Sequence, residues 1–217
     1  MRHTFPYRIA RLARMLPSRL LDALSGHRCA ACDADVRGRR VFCEPCATTV
    51  LRAPHHGALH VAGEHGGALA TAIHRMKYRD RPDLARPLGG LLAGALPDTL
   101  DTDLVAPVPL HPRRLGHRGY NQSALIASVV AFERHLPHDA TALTRVRDTE
   151  TQAELGRIER RANVAGAFRG TRRIAGRRIL LIDDVTTTGA TLSACADAAR
   201  QAGARNVICA AVAITSA

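Results

Sequence analysis

The chain has one lysine, Lys77, no tryptophan, and only seven phenylalanine and tyrosine residues in 217 positions. Each shortage excludes something. Lys77 follows Met76, so there is no phosphate loop ending in Gly-Lys-Ser/Thr, and a nucleoside triphosphatase is excluded. Few rings argue against a single-strand-binding surface built on stacked bases. They also require a core of Ala, Leu, Val and Ile. No run of about 18 apolar residues occurs, so no membrane-spanning helix is expected. Arginines interrupt the N-terminal apolar residues, so no secretory signal is expected and a cytoplasmic location follows. Acids are also few: 19 against 31 basic residues, a net charge of +12 carried almost wholly by arginine. Such a surface suits a polyanion, although an arginine- and alanine-rich composition accounts for it equally well.

What is present centres on 179–192, ILLIDDVTTTGATL. Ile179 to Ile182 suit a buried strand. Asp183 and Asp184 follow at its end, then Thr186, Thr187, Thr188, Gly189, Ala190 and Thr191, then a helix over 192–202. A strand entering a helix through a hydroxyl- and glycine-rich turn makes an anion site, because the first helical N–H groups lack partners and the helix dipole favours negative charge. Ionised carboxylates only accept hydrogen bonds, so the acidic pair calls for a donor-rich partner such as a sugar diol. A ribose 5-phosphate offers both ends. A signalling receiver domain carries its acidic pair at its start, with a lysine downstream; neither holds here. The bland alternative is a strand–turn–helix with an exposed acidic turn.

Residues 1–28 form a basic arm in which Ile9, Leu12, Leu16 and Leu20 recur at helical spacing, with Pro17 expected to kink it. It could lie on nucleic acid, on an anionic membrane or on its own protein. Cys29, Cys32, Cys43 and Cys46 make two Cys-x-x-Cys pairs ten residues apart, the pattern of a closed tetrahedral Zn²⁺ site. A hairpin with Gly38 near its middle is expected between the pairs. A redox dithiol, a metal-free loop and an iron–sulfur cluster are the alternatives. The finger over 29–52 has almost no core of its own, so metal would supply its folding energy. Residues 53–67 read as a linker with solvated histidines at 55, 56, 60 and 65. Cys195 and Cys209 read as inert core thiols.

From residue 68 to 217 helices and strands alternate, which argues an α/β domain with a mostly parallel sheet. Helices are expected over 68–78, 84–95 and 123–134, and strands over 104–108 and 206–214. A polar, basic loop follows Val108: Leu110, His111, Arg113, Arg114 and Arg118 lie in it. In a parallel sheet such loops gather at the carboxyl ends of the strands, so this loop and the acidic one can face one ligand. The lone Lys77 suggests a compact charge on a phosphate. Residues 143–152 lack periodicity and read as a mobile loop. Residues 157–178 hold eight arginines and one acid, with a helix over 155–164 and a hairpin over 166–178.

The acidic pair and its loop resemble the signature of the type I phosphoribosyltransferases, which bind phosphoribosyl pyrophosphate (PRPP). The whole chain resembles the ComF family, competence proteins that join a zinc finger to such a transferase domain. The matching pieces are the cysteine pairs, Lys77-Tyr78-Arg79, Pro107-Val108-Pro109-Leu110, Arg118-Gly119-Tyr120-Asn121-Gln122, Arg145 to Gln152, Arg160 to Val164, and Asp183 to Thr191. The resemblance implies several roles. Asp183 and Asp184 would hold the ribose hydroxyls. Thr186, Thr187, Thr188, Gly189, Ala190 and Thr191 would cradle the 5-phosphate. Leu110, His111, Arg113, Arg114, Arg118 and Lys77 would meet the pyrophosphate, with Mg²⁺ carried on PRPP. Arg145, Arg147, Thr149 and Gln152 would form a closing loop. Arg147, Thr149, Gln152 and Asn163 also resemble the transferase half of the amidophosphoribosyltransferases, but no N-terminal cysteine nucleophile or glutaminase domain is expected here. Purine salvage enzymes place an acid where this chain has Thr187, so salvage of hypoxanthine or guanine is not implied. The implied functions are phosphoribosyl transfer to a nitrogen acceptor, binding of PRPP and single-stranded DNA in competence, alone or with other competence proteins, or PRPP sensing.

Overall fold

The computed structural model describes residues 27–38, 40–53, 58–147 and 164–215. Residues 1–26 of the N-terminal arm, His55, His56, Thr149, Gln152 and Asn163 lie outside them, as does the helix expected over 155–164 except for Val164. At the centre is a four-stranded sheet in the order β3-β8-β7-β4, formed by β3 (Leu59–Glu64), β4 (Leu104–Pro107), β7 (Arg178–Thr186) and β8 (Asn206–Ile214). All three pairings are parallel, as expected. Parallel strands covered on both faces read as apolar runs, and Ile179 to Ile182 and Ala210 to Ala213 are fully buried.

Helices cover both faces. On one lie α2 (Gly67–Tyr78), α3 (Ala85–Ala95) and α5 (Gln122–Glu133), packed on Leu180, Ile182 and Val212. On the other lie α6 (Ala190–Gln201) and a small antiparallel ribbon of β5 (Leu143–Arg145) and β6 (Phe168–Gly170), packed on Ile179, Leu181 and Ala211. The alternation of β7 side chains between these two clusters is the period-2 pattern of a strand.

Several expectations are corrected. The central strand runs on to Thr186, so both aspartates and Thr186 lie inside it rather than beyond its end. β3 occupies part of the expected linker, because pairing with β8 satisfies its backbone; His60 is within the strand and His65 follows it. The basic loop after Val108 contains a helix, α4 (Pro112–Arg118), started by Pro112 and ended by Gly119 in the left-handed conformation at φ 79°. No hairpin forms over 166–178. β6 pairs instead with β5, which holds Arg145, and a 3-10 turn follows at Arg172–Ile174. Nor is there a hairpin among the described residues between the cysteine pairs: β1 (His27–Arg28) pairs with β2 (Asp35–Val36) across the first pair, and α1 (Glu44–Ala47) carries Cys46. The cysteine segment also shares a core with the sheet. Cys29, Ala30 and Phe42 are buried in the same cluster as Leu69, Ile73 and Leu88.

The packing of α3 on α5 yields a paired test. A Cβ on Gly89 would lie 2.6 Å from Val129 Cβ, whereas one on Gly90 would meet nothing within 4 Å. Replacing a helical glycine with alanine gains roughly 0.8–1 kcal/mol, and overpacking costs about 1–3 kcal/mol. Urea denaturation is therefore expected to show Gly90→Ala more stable than the parent and Gly89→Ala less stable.

Candidate functional site

Three chain segments meet at the carboxyl end of β7. β4 ends when the Val108 N–H donates to the Ile182 carbonyl at 2.8 Å. Asn121 ties the start of α5 to that point. Its Nδ2 donates to the Val108 carbonyl at 3.0 Å, and its Oδ1 caps the Ser123 N–H at 3.1 Å. Ser123 then donates from Oγ to Asp183 Oδ1 at 2.9 Å. Tyr120 donates its hydroxyl to the Met76 carbonyl, so α2 also ends here. The next residue, Lys77, brings its ammonium to 2.9 Å from Asp184 Oδ1. His65, just past β3, feels both Lys77 and Asp184; burial and then the Lys77 charge hold its pKa below the usual imidazole value.

The acidic pair is thus mostly buried, with both Oδ1 atoms engaged. Asp183 Oδ1 also accepts from the Asp184 N–H at 2.9 Å, and Asp184 Oδ1 from the Val185 N–H at 2.6 Å. Burial, and then the neighbouring Asp184 charge, push the Asp183 carboxyl up to about 7; Lys77 and Ser123 oppose this. Lys77, expected among the pyrophosphate contacts, serves here as the counter-ion of Asp184.

Beyond the acids, Thr187, Thr188 and Gly189 connect β7 to α6. Gly189 sits at φ 73°, a conformation that favours glycine, and the helix start has no side-chain cap. The Thr188 hydroxyl is buried without a hydrogen-bond partner, an arrangement that calls for an acceptor. Thr187 is exposed, Thr191 is in the first turn, and Ala190, 5% exposed, packs beneath. Thr186 belongs to the strand, where its carbonyl accepts from the Thr215 N–H at 2.9 Å. Its side chain is buried, 5% exposed.

The basic group lies on the β4–α5 connection. Leu110 is half-buried, and His111 caps α4 through Nδ1, which accepts from the Arg113 N–H at 3.3 Å. Arg113 is exposed and Arg114 half-buried. Arg118 turns back to the site: its guanidinium lies 5.2 Å from the centre of the exposed Tyr78 ring and donates to Gln122 Oε1 at 2.8 Å. On the far ribbon, the Arg145 guanidinium sits 5.4 Å from the Phe168 ring centre, and Arg147 donates to the Ala165 carbonyl at 2.7 Å.

The cysteine cluster is separate. All four Sγ atoms lie within 4.8 Å of one another, with Cys32–Cys43 at 3.6 Å and Cys32–Cys46 at 3.7 Å. A tetrahedron with Zn–S of ~2.3 Å has S–S edges of about 3.8 Å, while a disulfide needs ~2.05 Å. The donor set therefore fits a metal ion such as zinc. Burial raises the Cys29 thiol, but backbone N–H groups, led by that of Cys43, outweigh it and hold it down to about 6; the neighbouring thiols, Cys43 first, push Cys46 up to about 12.

Sequence reasoning missed Ser123 and His65 as neighbours of the acids, and missed Asp33, Arg75 and Arg81 altogether. Ser123 had a signal, since Asn-x-Ser opens α5 beside the motif. Asp33 had none.

A parallel sheet with an acidic strand end, a hydroxyl loop and an uncapped helix start is the layout of a phosphoribosyltransferase domain. Residues 126–216 match the family model described as "Phosphoribosyl transferase domain". The chain is 30% identical over 196 residues to the DNA utilization protein YhgH of Escherichia coli strain K12, covering 82% of this chain and 86% of that one. It is 28% identical over 188 residues to Competence protein F of Haemophilus influenzae, covering 82% and 81%. The chain belongs to the ComF family. Among solved structures it is similar to the glutamine PRPP amidotransferase of B. subtilis, at 20% identity over 64% of this chain and 30% of that one, with a TM-score of 0.45. It is also similar to the orotate phosphoribosyltransferase of Mycobacterium tuberculosis H37Rv, at 17% identity over 76% and 77%, with a TM-score of 0.38. At such scores these likenesses add nothing to the fold assignment, which rests on the family match and the sheet.

The buried acid predicts a pH dependence. A carboxyl that stays protonated to about 7 in the fold but ionises near 3.9 when unfolded makes the native state bind more protons in between. Its contribution to stability is therefore full below pH 4 and falls as pH rises toward 7. Thermal melts of Asp183→Asn and the parent should diverge in favour of the variant between pH 5 and 7.5, by about 2–4 °C for each kcal/mol.

Proposed function

We propose that this protein binds PRPP at the carboxyl end of β7 and transfers its phosphoribosyl group to a nitrogen acceptor. The observation that carries this reading is the loop at Thr187–Gly189. It offers an unpartnered buried hydroxyl and an uncapped helix start immediately after two carboxylates. The α6 N-terminus and the Thr188 hydroxyl take the 5-phosphate. Asp184 and Asp183 accept from the ribose hydroxyls and favour positive charge on the ring. Arg113, Arg114 and Arg118 take the pyrophosphate. Mg²⁺ carried on PRPP supplies further neutralisation of the leaving group. In the reaction the bond from the anomeric carbon to the pyrophosphate oxygen breaks, the bond to nitrogen forms, and the nitrogen loses a proton. The protein contributes position and charge. The closed four-cysteine site leaves no open position for a substrate, so its zinc is structural.

Calorimetry with PRPP and Mg²⁺ tests binding. One PRPP per chain is expected, and Asp184→Asn should weaken it roughly 10- to 100-fold, the worth of a hydrogen bond to a charged group. No heat under any condition would end the reading. Release of pyrophosphate with a panel of bases and amines tests transfer; without release, PRPP is a regulatory ligand.

A second reading is favoured by a groove of about 1350 Å³ between the cysteine module, α3, α5 and β3, which none of the motif residues line. Arg28, Arg40, Arg52, Arg81 and Arg86 surround it. Single-stranded DNA along this groove would release counterions, so affinity should fall steeply with salt and fall further in Arg40→Ala/Arg52→Ala. Absence of binding at low salt would refute it.

A further inference from the structure

Helix α2, which carries Lys77, is gripped at both ends by the cysteine module. At its start the Ala68 N–H donates to Thr49 Oγ1 at 2.9 Å, and the Thr49 hydroxyl donates to the Cys46 carbonyl at 2.8 Å. The approach is close: Gly67 is at φ 49°, and a Cβ there would collide with Thr49. At the other end stands Asp33, the residue after Cys32, itself in the left-handed region at φ 60°. Its Oδ2 accepts from Arg75, and its Oδ1 from Arg81 at 3.0 Å. Arg75 also donates from Nη1 to the Ala30 carbonyl, within the first Cys-x-x-Cys turn, at 2.9 Å. Arg81 is braced from its far side by Asp83 at 2.8 Å.

Lys77 is two residues past Arg75. The last turn of α2 closes with the Arg79 N–H donating to the Arg75 carbonyl at 2.9 Å, and Asp80 follows in the left-handed region at φ 49°. Helix ends fray readily, and side-chain contacts add to the backbone in fixing this one. The contacts found here are the Asp33 clamp, the Tyr120–Met76 bond and the Lys77–Asp184 pair itself. The ion pair to be positioned is the one that compensates the acidic end of β7.

We propose that Asp33 is a positioning residue for Lys77, and that the cysteine module is a splint that sets the last turn of α2. Through Arg75 and Arg81 it decides where the Lys77 ammonium meets Asp184. Metal binding, which shapes the two cysteine turns, is thereby coupled to the site 150 residues along the chain. The ligand arm of the test rests on the PRPP reading; the spectroscopic arm does not.

Because Lys77 is the only lysine, protein labelled with [13Cε]lysine gives one side-chain signal. Asp184→Asn defines the position of the unpaired ammonium. In metal-loaded full-length protein, Asp33→Asn and Arg75→Gln should each move the signal toward that position, while Asp33→Glu should keep it nearer the parent. Metal content and melting temperature are measured for each variant. With one metal per chain retained, PRPP affinity should fall roughly 2- to 30-fold in Asp33→Asn, and the same substitution should have no further effect in a Lys77→Met background. A Lys77 signal unmoved in metal-retaining Asp33→Asn and Arg75→Gln overturns the proposal. Should Asp33→Asn shed metal, Arg81→Gln, whose contact with the module is through Asp33 and not through a cysteine turn, decides alone. If even the parent fails to bind PRPP, that reading fails and the lysine signal still decides the splint.

Discussion

Two adjacent carboxylates at the buried end of a central strand are the constraint on which the rest of this structure depends. An ionised carboxylate taken out of water without partners costs several kcal/mol, and Asp183 and Asp184 are both mostly buried. The surrounding elements are arranged to compensate. α5 begins where Ser123 can donate to Asp183, and α2 ends where Lys77 can pair with Asp184. Asn121 and Tyr120 fix those two helix ends to the backbone of the site. Compensation is incomplete for Asp183, whose carboxyl remains easier to protonate than an ordinary one.

The cysteine module takes part in the same arrangement. Its buried residues lie in the core beneath α2 and α3, and its polar residues cap one end of α2 and clamp the other. A segment with few apolar residues of its own gains stability from this shared core as well as from metal. The reverse also holds: the start of α2 takes its cap from Thr49 of the module, and Asp33 holds the side chains of Arg75 and Arg81 at the other end.

The legibility of the chain followed the range of the interactions concerned. β8 has the expected bounds, since an apolar run bounded by Gly203 and the chain's polar end needs no distant partner to be recognised. The expected helices over 68–78, 84–95 and 123–134 form within one or two residues of those bounds. β3 was hidden in a histidine-rich stretch, because what makes it a strand is the exposed edge of β8, some 150 residues away. β5 and β6 pair across residues 146–167, beyond any local pattern. α4 was obscured by its proline and its charges, although Pro112 and Gly119 are ordinary start and stop signals. The acidic pair was placed just past a strand. Pairing with β8 carries that strand four residues further, and this turns two loop carboxylates into buried ones.

The sequence by itself determined the class: a parallel sheet, a phosphoribosyltransferase motif and a four-cysteine cluster. These rest on local order and spacing, which survive without knowledge of any distant contact. Only the tertiary structure decided how the acids are compensated, that Lys77 is their counter-ion, and that Asp33 reaches α2. Ion pairs between residues 77 and 184, or 33 and 75, leave no periodicity to read. They exist because the fold brings distant charges together, and for the 77–184 pair in a place where water screens them little.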